Sequence, residues 1–229
     1  MTSLQSPGAH DERRHADARC EEWLFTAWGL GGAQNERGLN DTGLISGYRI
    51  VESEAWYWAA LTRAGHPLLY VTDWHVPRRA DPLLVKSAGL WAEHTCDAPM
   101  EQWTVANETY AVALDDPADA VGRAYGVPTA LSWDLEWYAV GPPRVVPHGY
   151  EQPGVVHGVV ELGGSEALHL VEAPAHRWHR WDEALPPVEL PDAFAHTGVR
   201  APFAFPDGSL ADWVLTPDGW RQRTPPMGV

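Results

Sequence analysis

Thirteen of the 229 residues are Trp, against 4 Phe and 3 Met. Most stand in short segments such as Trp56-Tyr57-Trp58, Trp133-Asp134-Leu135-Glu136-Trp137 and Trp178-His179-Arg180-Trp181. Residues two apart share one face of a strand, and aromatic side chains favour strands over helices. Ala130–Tyr138 carries the pattern most cleanly. Leu131, Trp133, Leu135 and Trp137 fall on one face, and Ser132, Asp134, Glu136 and Tyr138 on the other. A Trp is rigid and amphipathic, and its N–H needs a partner when buried. Trp-bearing strands interleaved with Asp, Glu and His therefore point either to a plain β core or to an aromatic-walled cavity for an apolar ligand.

The remaining chain reads the same way. Strands are expected at Leu44–Glu52, Ala55–Thr62, Leu68–Trp74, Leu90–Thr95, Glu101–Val105, Tyr110–Leu114, Gly154–Leu162, Ala167–Glu172, Leu210–Leu215 and Trp220–Arg223. Turn signals separate them, among them Gly163-Gly164-Ser165-Glu166 and Thr216-Pro217-Asp218-Gly219. Asp116–Tyr125, with Asp as N-cap and Pro in the first turn, is the one expected helix. Gly29–Gly43 reads as a loop, and the Pro-rich residues 182–206 as an irregular connection. Residues 1–20, poor in bulky apolar groups, read as a disordered or loosely attached tail before a single β-barrel-like domain at 21–229. The fold class is mainly β. An antiparallel lipocalin-like barrel with one short helix is preferred to a β-sandwich, because a closed barrel encloses a cavity.

A formal net charge of −15 argues against nucleic acid as a partner. Cys20 and Cys96 make no disulfide framework. No apolar run resembles a signal sequence or a membrane span, so a cytoplasmic protein without membrane insertion is expected. There is no nucleophile elbow, P-loop or dinucleotide fingerprint, and no cofactor is expected. His176 and His179, three apart, diverge on a strand, and no Cys or acidic residue stands at ligand spacing, so no metal is expected either.

The run His176-Arg177-Trp178-His179-Arg180-Trp181, with Glu22-Trp23, Gly47-Tyr48-Arg49 and Ala55-Trp56-Tyr57-Trp58, resembles the lipocalin-like family of hydroxyneurosporene synthases (carotenoid 1,2-hydratases) and AttH-like proteins. Ala175 and Asp182 replace the Gly residues that bound the motif in that family. The resemblance implies protonation of an isolated C=C bond and capture of water. It implies roles for His179 and Trp181, and for a downstream acid matched by Asp207, beside which Phe205 stands for the family's Tyr.

Other candidates come from the residues themselves. Asp134 and Glu136 share a strand face. Desolvation would raise the pKa of at least one if that face lined the cavity, although the Trp-bearing face is the more obvious interior. Asp73 and His75 share a face and form a possible acid–base pair; the alternative is a strand end at the surface. Trp56, Trp58, Trp133, Trp137, Trp181 and Tyr150 are the expected substrate-binding side chains. The expected function is a cofactor-independent hydratase, dehydratase, cyclase or isomerase acting on a small apolar, terpenoid or polyketide-like substrate. A non-catalytic carrier of a hydrophobic ligand is the alternative, and a homodimer is possible.

Overall fold

The computed structural model describes residues 6–30, 42–79, 83–164, 167–185, 199–216 and 218–223. Eleven strands form one antiparallel sheet: β1 (Cys20–Trp28), β2 (Gly43–Val51), β3 (Glu54–Thr62), β4 (Leu68–Pro77), β5 (Leu84–Ser87), β6 (Leu90–Ala98), β7 (Gln102–Leu114), β8 (Val127–Ala139), β9 (Arg144–Val146), β10 (Gly149–Leu162) and β11 (Leu168–Asp182). The sheet runs β4-β3-β2-β1-β11-β10-β8-β7-β6-β5, and β4 also pairs with β7 through Leu68–Tyr70 and Val112–Leu114. The strands thus close into a partial ring. The β5–β6 hairpin takes up the remaining edge of β7. A separate antiparallel sheet holds β12 (Arg200–Ala204), β13 (Leu210–Thr216) and β14 (Gly219–Arg223).

One face of the ring strands forms a single apolar cluster, which identifies it as the interior. Trp23 and Phe25 of β1, Tyr48 of β2, Tyr57 of β3, Trp103 of β7 and Trp133, Leu135 and Trp137 of β8 all belong to it. The opposite faces of β1 to β4 pack beneath the smaller sheet. There Trp56, Trp58 and Tyr70 meet Phe203, Phe205, Trp213 and Trp220 in a second cluster. The indole N–H of Trp220 donates to the Ala27 carbonyl at 3.0 Å and ties the two sheets together. Among the described residues, no helix is long and apolar enough to cross a membrane.

Several expectations need correction. The two strands expected at Glu101–Val105 and Tyr110–Leu114 are one continuous strand, β7, because Ala106–Thr109 stays paired to both neighbours. The expected helix is a 3₁₀ turn, Pro117–Val121, with the Asp116 side chain accepting from the Ala118 amide at 2.9 Å. The His-Arg-Trp-His run continues a strand, β11, to Asp182. Within residues 182–206, Arg200–Ala204 is a strand, and 186–198 lie outside the described residues, as do 31–41 of the expected loop. Residues 6–19 are not loosely attached. A 3₁₀ turn at Ala9–Glu12 buries the Glu12 side chain against β10 and β11. Residues 1–5 lie outside the described part.

Candidate functional site

Neighbours on a strand point to opposite faces, and β1 uses this at Glu21 and Glu22. Glu22 turns to the outer wall beneath the smaller sheet. Arg49 donates to it at 3.0 and 2.6 Å, and Arg180 at 3.0 Å through Nε. Burial alone would raise the Glu22 pKa, but the two guanidinium groups outweigh it and hold the carboxyl at about 2. The Arg49 guanidinium also lies 4.4 Å from the Phe205 ring centre and 5.5 Å from that of Trp58. This cluster joins the two sheets and lies outside the ring.

Glu21 turns inward, at the ring end where β1 begins and β11 finishes. Trp23 pairs with His179 and Glu21 with Trp181, so the carboxylate reaches the imidazole diagonally. Oε1 of Glu21 is 2.9 Å from Nε2 of His179 and 2.9 Å from Nδ1 of His15. The His15 backbone N–H donates to both carboxylate oxygens at 3.0 and 3.1 Å. Burial opposes charge on Glu21, but the bonds from His179 and His15 prevail, and its pKa stands below the ordinary value. Burial lowers the pKa of His179 despite the attraction of Glu21. At neutral pH the pair is therefore a carboxylate and a neutral imidazole. An ionised carboxylate only accepts, so Nε2 of His179 carries the proton and Nδ1 holds a bare lone pair. That Nδ1 atom is buried and has no hydrogen-bond partner among the described residues.

Aromatic rings hold the imidazole in place. Trp23 stacks on it at 4.6 Å and 22°, Tyr150 meets it edge-on at 5.5 Å, and Trp181 lies tilted at 4.9 Å. Trp181 also stacks on His15 at 3.7 Å. Beside them Arg177 grips Glu12 through both Nη atoms, at 3.0 and 2.6 Å. Deeper in the ring, Oγ of Ser46 bonds Nε2 of His94 at 2.8 Å and Tyr57 at 3.2 Å, and Tyr57 donates to Asn107 at 3.1 Å. Burial pushes the His94 pKa down to about 3. Tyr48 links the two polar groups, with its ring centre 6.3 Å from both Trp23 and His94.

Of the residues expected from sequence, His179, Trp181 and Tyr150 come together here. Trp133 and Trp137 are buried in the ring interior, and Trp137 lies under the Arg177 guanidinium at 4.9 Å. The others stand elsewhere. Trp56 and Trp58 line the outer wall under the smaller sheet, because Tyr57 and its alternating neighbours take the inward positions. Asp134 and Glu136 are exposed on the outside of β8. A bulge between β3 and β4 breaks the alternation that would put Asp73 and His75 on one face. Asp73 accepts from Ser87, while His75, at φ 63°, turns out to Glu54 at 2.6 Å. Asp207 lies in the turn before β13, half exposed, and accepts from the Ser209 amide and hydroxyl.

Sequence reasoning missed Glu21, His15, Glu12 and Arg177 as site residues. A signal was present for Glu21: Glu21-x-Trp23 and His179-x-Trp181 share one spacing, as antiparallel partners would. The acidic partner absent from ligand spacing on β11 arrives across the sheet. His15, Glu21 and His179 present donor atoms within 4.8 Å of one another. Two imidazoles and one carboxylate form a donor set known from iron(II) centres, though here both nitrogens are engaged by Glu21 itself.

Comparison of the chain with protein-family models, with curated proteins and with solved structures found no match.

Proposed function

We propose that this chain is a cofactor-independent acid–base enzyme in which His179 moves the proton and Glu21 orients it. The reaction class is hydration or dehydration, cyclisation or isomerisation of a small apolar substrate of terpenoid or polyketide type. One observation carries the reading: a buried carboxylate fixes Nε2 of a buried imidazole and leaves Nδ1 without a partner among the described residues. A carboxylate that sets the tautomer and supports the imidazolium is the recurrent way to make His a general base. Trp23, Trp181 and Tyr150 supply the apolar surround. The ring of antiparallel strands supports a lipocalin-like reading, and His179 and Trp181, which carry the resemblance to the carotenoid hydratases, are both at this site.

The state of His179 fixes the order of events. A neutral imidazole acts first as a base. In dehydration Nδ1 takes a proton from carbon, the electron pair forms the C=C bond, and the imidazolium returns the proton to the departing hydroxyl as water. In isomerisation the same proton returns to a different carbon. Both sequences balance without a co-reactant.

The test is incubation with acyclic and cyclic terpene alkenes and alcohols in ¹⁸O-labelled water, read by mass spectrometry. Label in a product marks hydration, and an unlabelled altered skeleton marks isomerisation or cyclisation. His179→Gln and Glu21→Gln should each lower turnover by about 10²–10⁴-fold, while Asp134→Asn leaves it unchanged. Full turnover in His179→Gln would end the reading. Activity lost on chelation and restored by a divalent ion would replace it with metal chemistry at His15, Glu21 and His179. A carrier is the second reading, favoured by interior indole N–H groups of Trp23, Trp103, Trp133 and Trp137 that have no hydrogen-bond partner among the described residues. Retention of an apolar ligand without turnover would support it.

A further inference from the structure

The Arg177 side chain is 1% exposed. Its guanidinium lies 4.9 Å from the Trp137 ring centre, 5.2 Å from Tyr150 and 5.5 Å from Trp103. Gln152 accepts from its Nε at 3.2 Å and from Nη2 at 2.6 Å, and the Gln152 amide is itself held by the carbonyls of Met100 and Gly141, both at 3.0 Å. A guanidinium fixed this way cannot follow a counter-ion, so an anion must come to it.

Four donors converge where that anion sits. Arg177 offers two N–H groups, at 2.6 and 3.0 Å from the carboxylate oxygens. The Tyr150 hydroxyl donates at 2.7 Å and the Met100 backbone N–H at 2.8 Å. All four belong to β10, β11 and the β6–β7 turn. The carboxylate they hold is that of Glu12, in a four-residue 3₁₀ turn ahead of β1. Around Glu12, the same segment seats His15 against Glu21 and Trp181. Host and guest are therefore different parts of the chain: a rigid cradle on the sheet and a short leading segment.

We propose that Arg177, Tyr150 and the Met100 amide form a carboxylate-binding site, occupied in this structure by the chain's own Glu12, in which an apolar monocarboxylate takes the place of Glu12. The planar fork and a single guanidinium match one carboxylate. A phosphate dianion would bring a second negative charge to a cradle built on the one guanidinium of Arg177. The apolar part of the ligand would lie where residues 9–15 now sit, against Trp181 and the Tyr150 ring, whose centre is 5.5 Å from that of His179. In naming the substrate as an apolar carboxylic acid the inference rests on the acid–base reading of His179. The binding site itself does not.

Glu12→Ala removes the internal competitor, and sodium octanoate is the probe, with 1-octanol and sodium phosphate as controls. Calorimetry should show octanoate binding at least about tenfold tighter to Glu12→Ala than to the parent chain. The lowered melting temperature of the variant should rise with octanoate and not with either control. Equal affinity in the two chains, or octanol as effective as octanoate, would overturn the proposal. Should Glu12→Ala fail to fold, hydrogen exchange in the parent chain decides: saturating octanoate should speed exchange across residues 9–15, and unchanged exchange would overturn it. In the double variant Glu12→Ala/His179→Gln octanoate binding should persist, because Arg177 is intact, and its loss would count against the site. Failure of the catalytic reading would instead appear as turnover in His179→Gln with octanoate binding preserved.

Discussion

At the residue scale the site depends on which atoms carry protons. Burial keeps His179 neutral against the attraction of Glu21, and the Glu21 contact places its proton on Nε2. On the proposed reading His179 must be deprotonated to act as a base, so the rate should be level above the ordinary imidazole value of 6.5 and fall on the acid side of it, because the His179 pKa is lowered. A pH–rate profile checks this, and an acid limb above pH 7 would contradict it. His94 makes a separate stability prediction. Its pKa lies near 3 in the folded chain and near 6.5 when unfolded. Below pH 6.5 the unfolded chain therefore binds a proton that the folded chain refuses. The stability present above 6.5 drains away as the pH falls toward 3. Between pH 6.5 and 4 this amounts to about 3 kcal/mol. Urea unfolding of His94→Gln should show a flatter acid dependence than the parent chain, and parallel curves would show that His94 is not the cause.

At the scale of the elements, close approach of Trp to Gly organises both cores. Gly47 of β2 pairs with Trp58 of β3. A Cβ on Gly47 would fall 2.1 Å from the Trp58 indole, so the ring lies flat over the glycine. Trp137 covers Gly154 in the same way, with 2.3 Å to a Cβ placed there. Gly47→Ala should cost about 3 kcal/mol by overpacking. Trp58→Leu should recover part of that loss in the double variant, since the two positions are coupled. Denaturant midpoints test this, and simple additivity would count against the contact. The same strands show what could be read in advance. Ala130–Tyr138 alternates apolar with polar because one face is interior and the other solvent, and its faces were legible. Ala55-Trp56-Tyr57-Trp58-Ala59 is apolar throughout, because the ring interior lies on one side and the smaller sheet on the other. Continuous apolarity is the mark of burial on both faces. It gives no means of telling Trp56 from Tyr57, and so the outward Trp pair was placed in the cavity. The Asp73–His75 pairing failed for a different reason, a bulge that no local pattern announces.

For the whole molecule, the site is made by joining distant parts of the chain. β1 lies beside β11, so Glu21 meets His179 across 158 positions, and Glu12 meets Arg177 across 165. Contacts of that range depend on strand order, which composition and periodicity do not encode. His179 was legible as a residue of interest because its run is distinctive, but the carboxylate that meets it was not. The polar leading segment illustrates the same limit: its sequence reads as a solvated tail, and Arg177, Tyr150 and the Met100 amide, all distant in sequence, supply the reason to bury Glu12. The central claim is that burial keeps His179 neutral while Glu21 fixes its proton on Nε2, leaving Nδ1 without a partner among the described residues. Nitrogen-15 correlation spectra of the His179 ring measure this directly and need no substrate. The account predicts a neutral ring at pH 7 protonated on Nε2, a pKa below 6.5, and a changed tautomer population in Glu21→Gln. A ring protonated on Nδ1, or an imidazolium at pH 7, would contradict it.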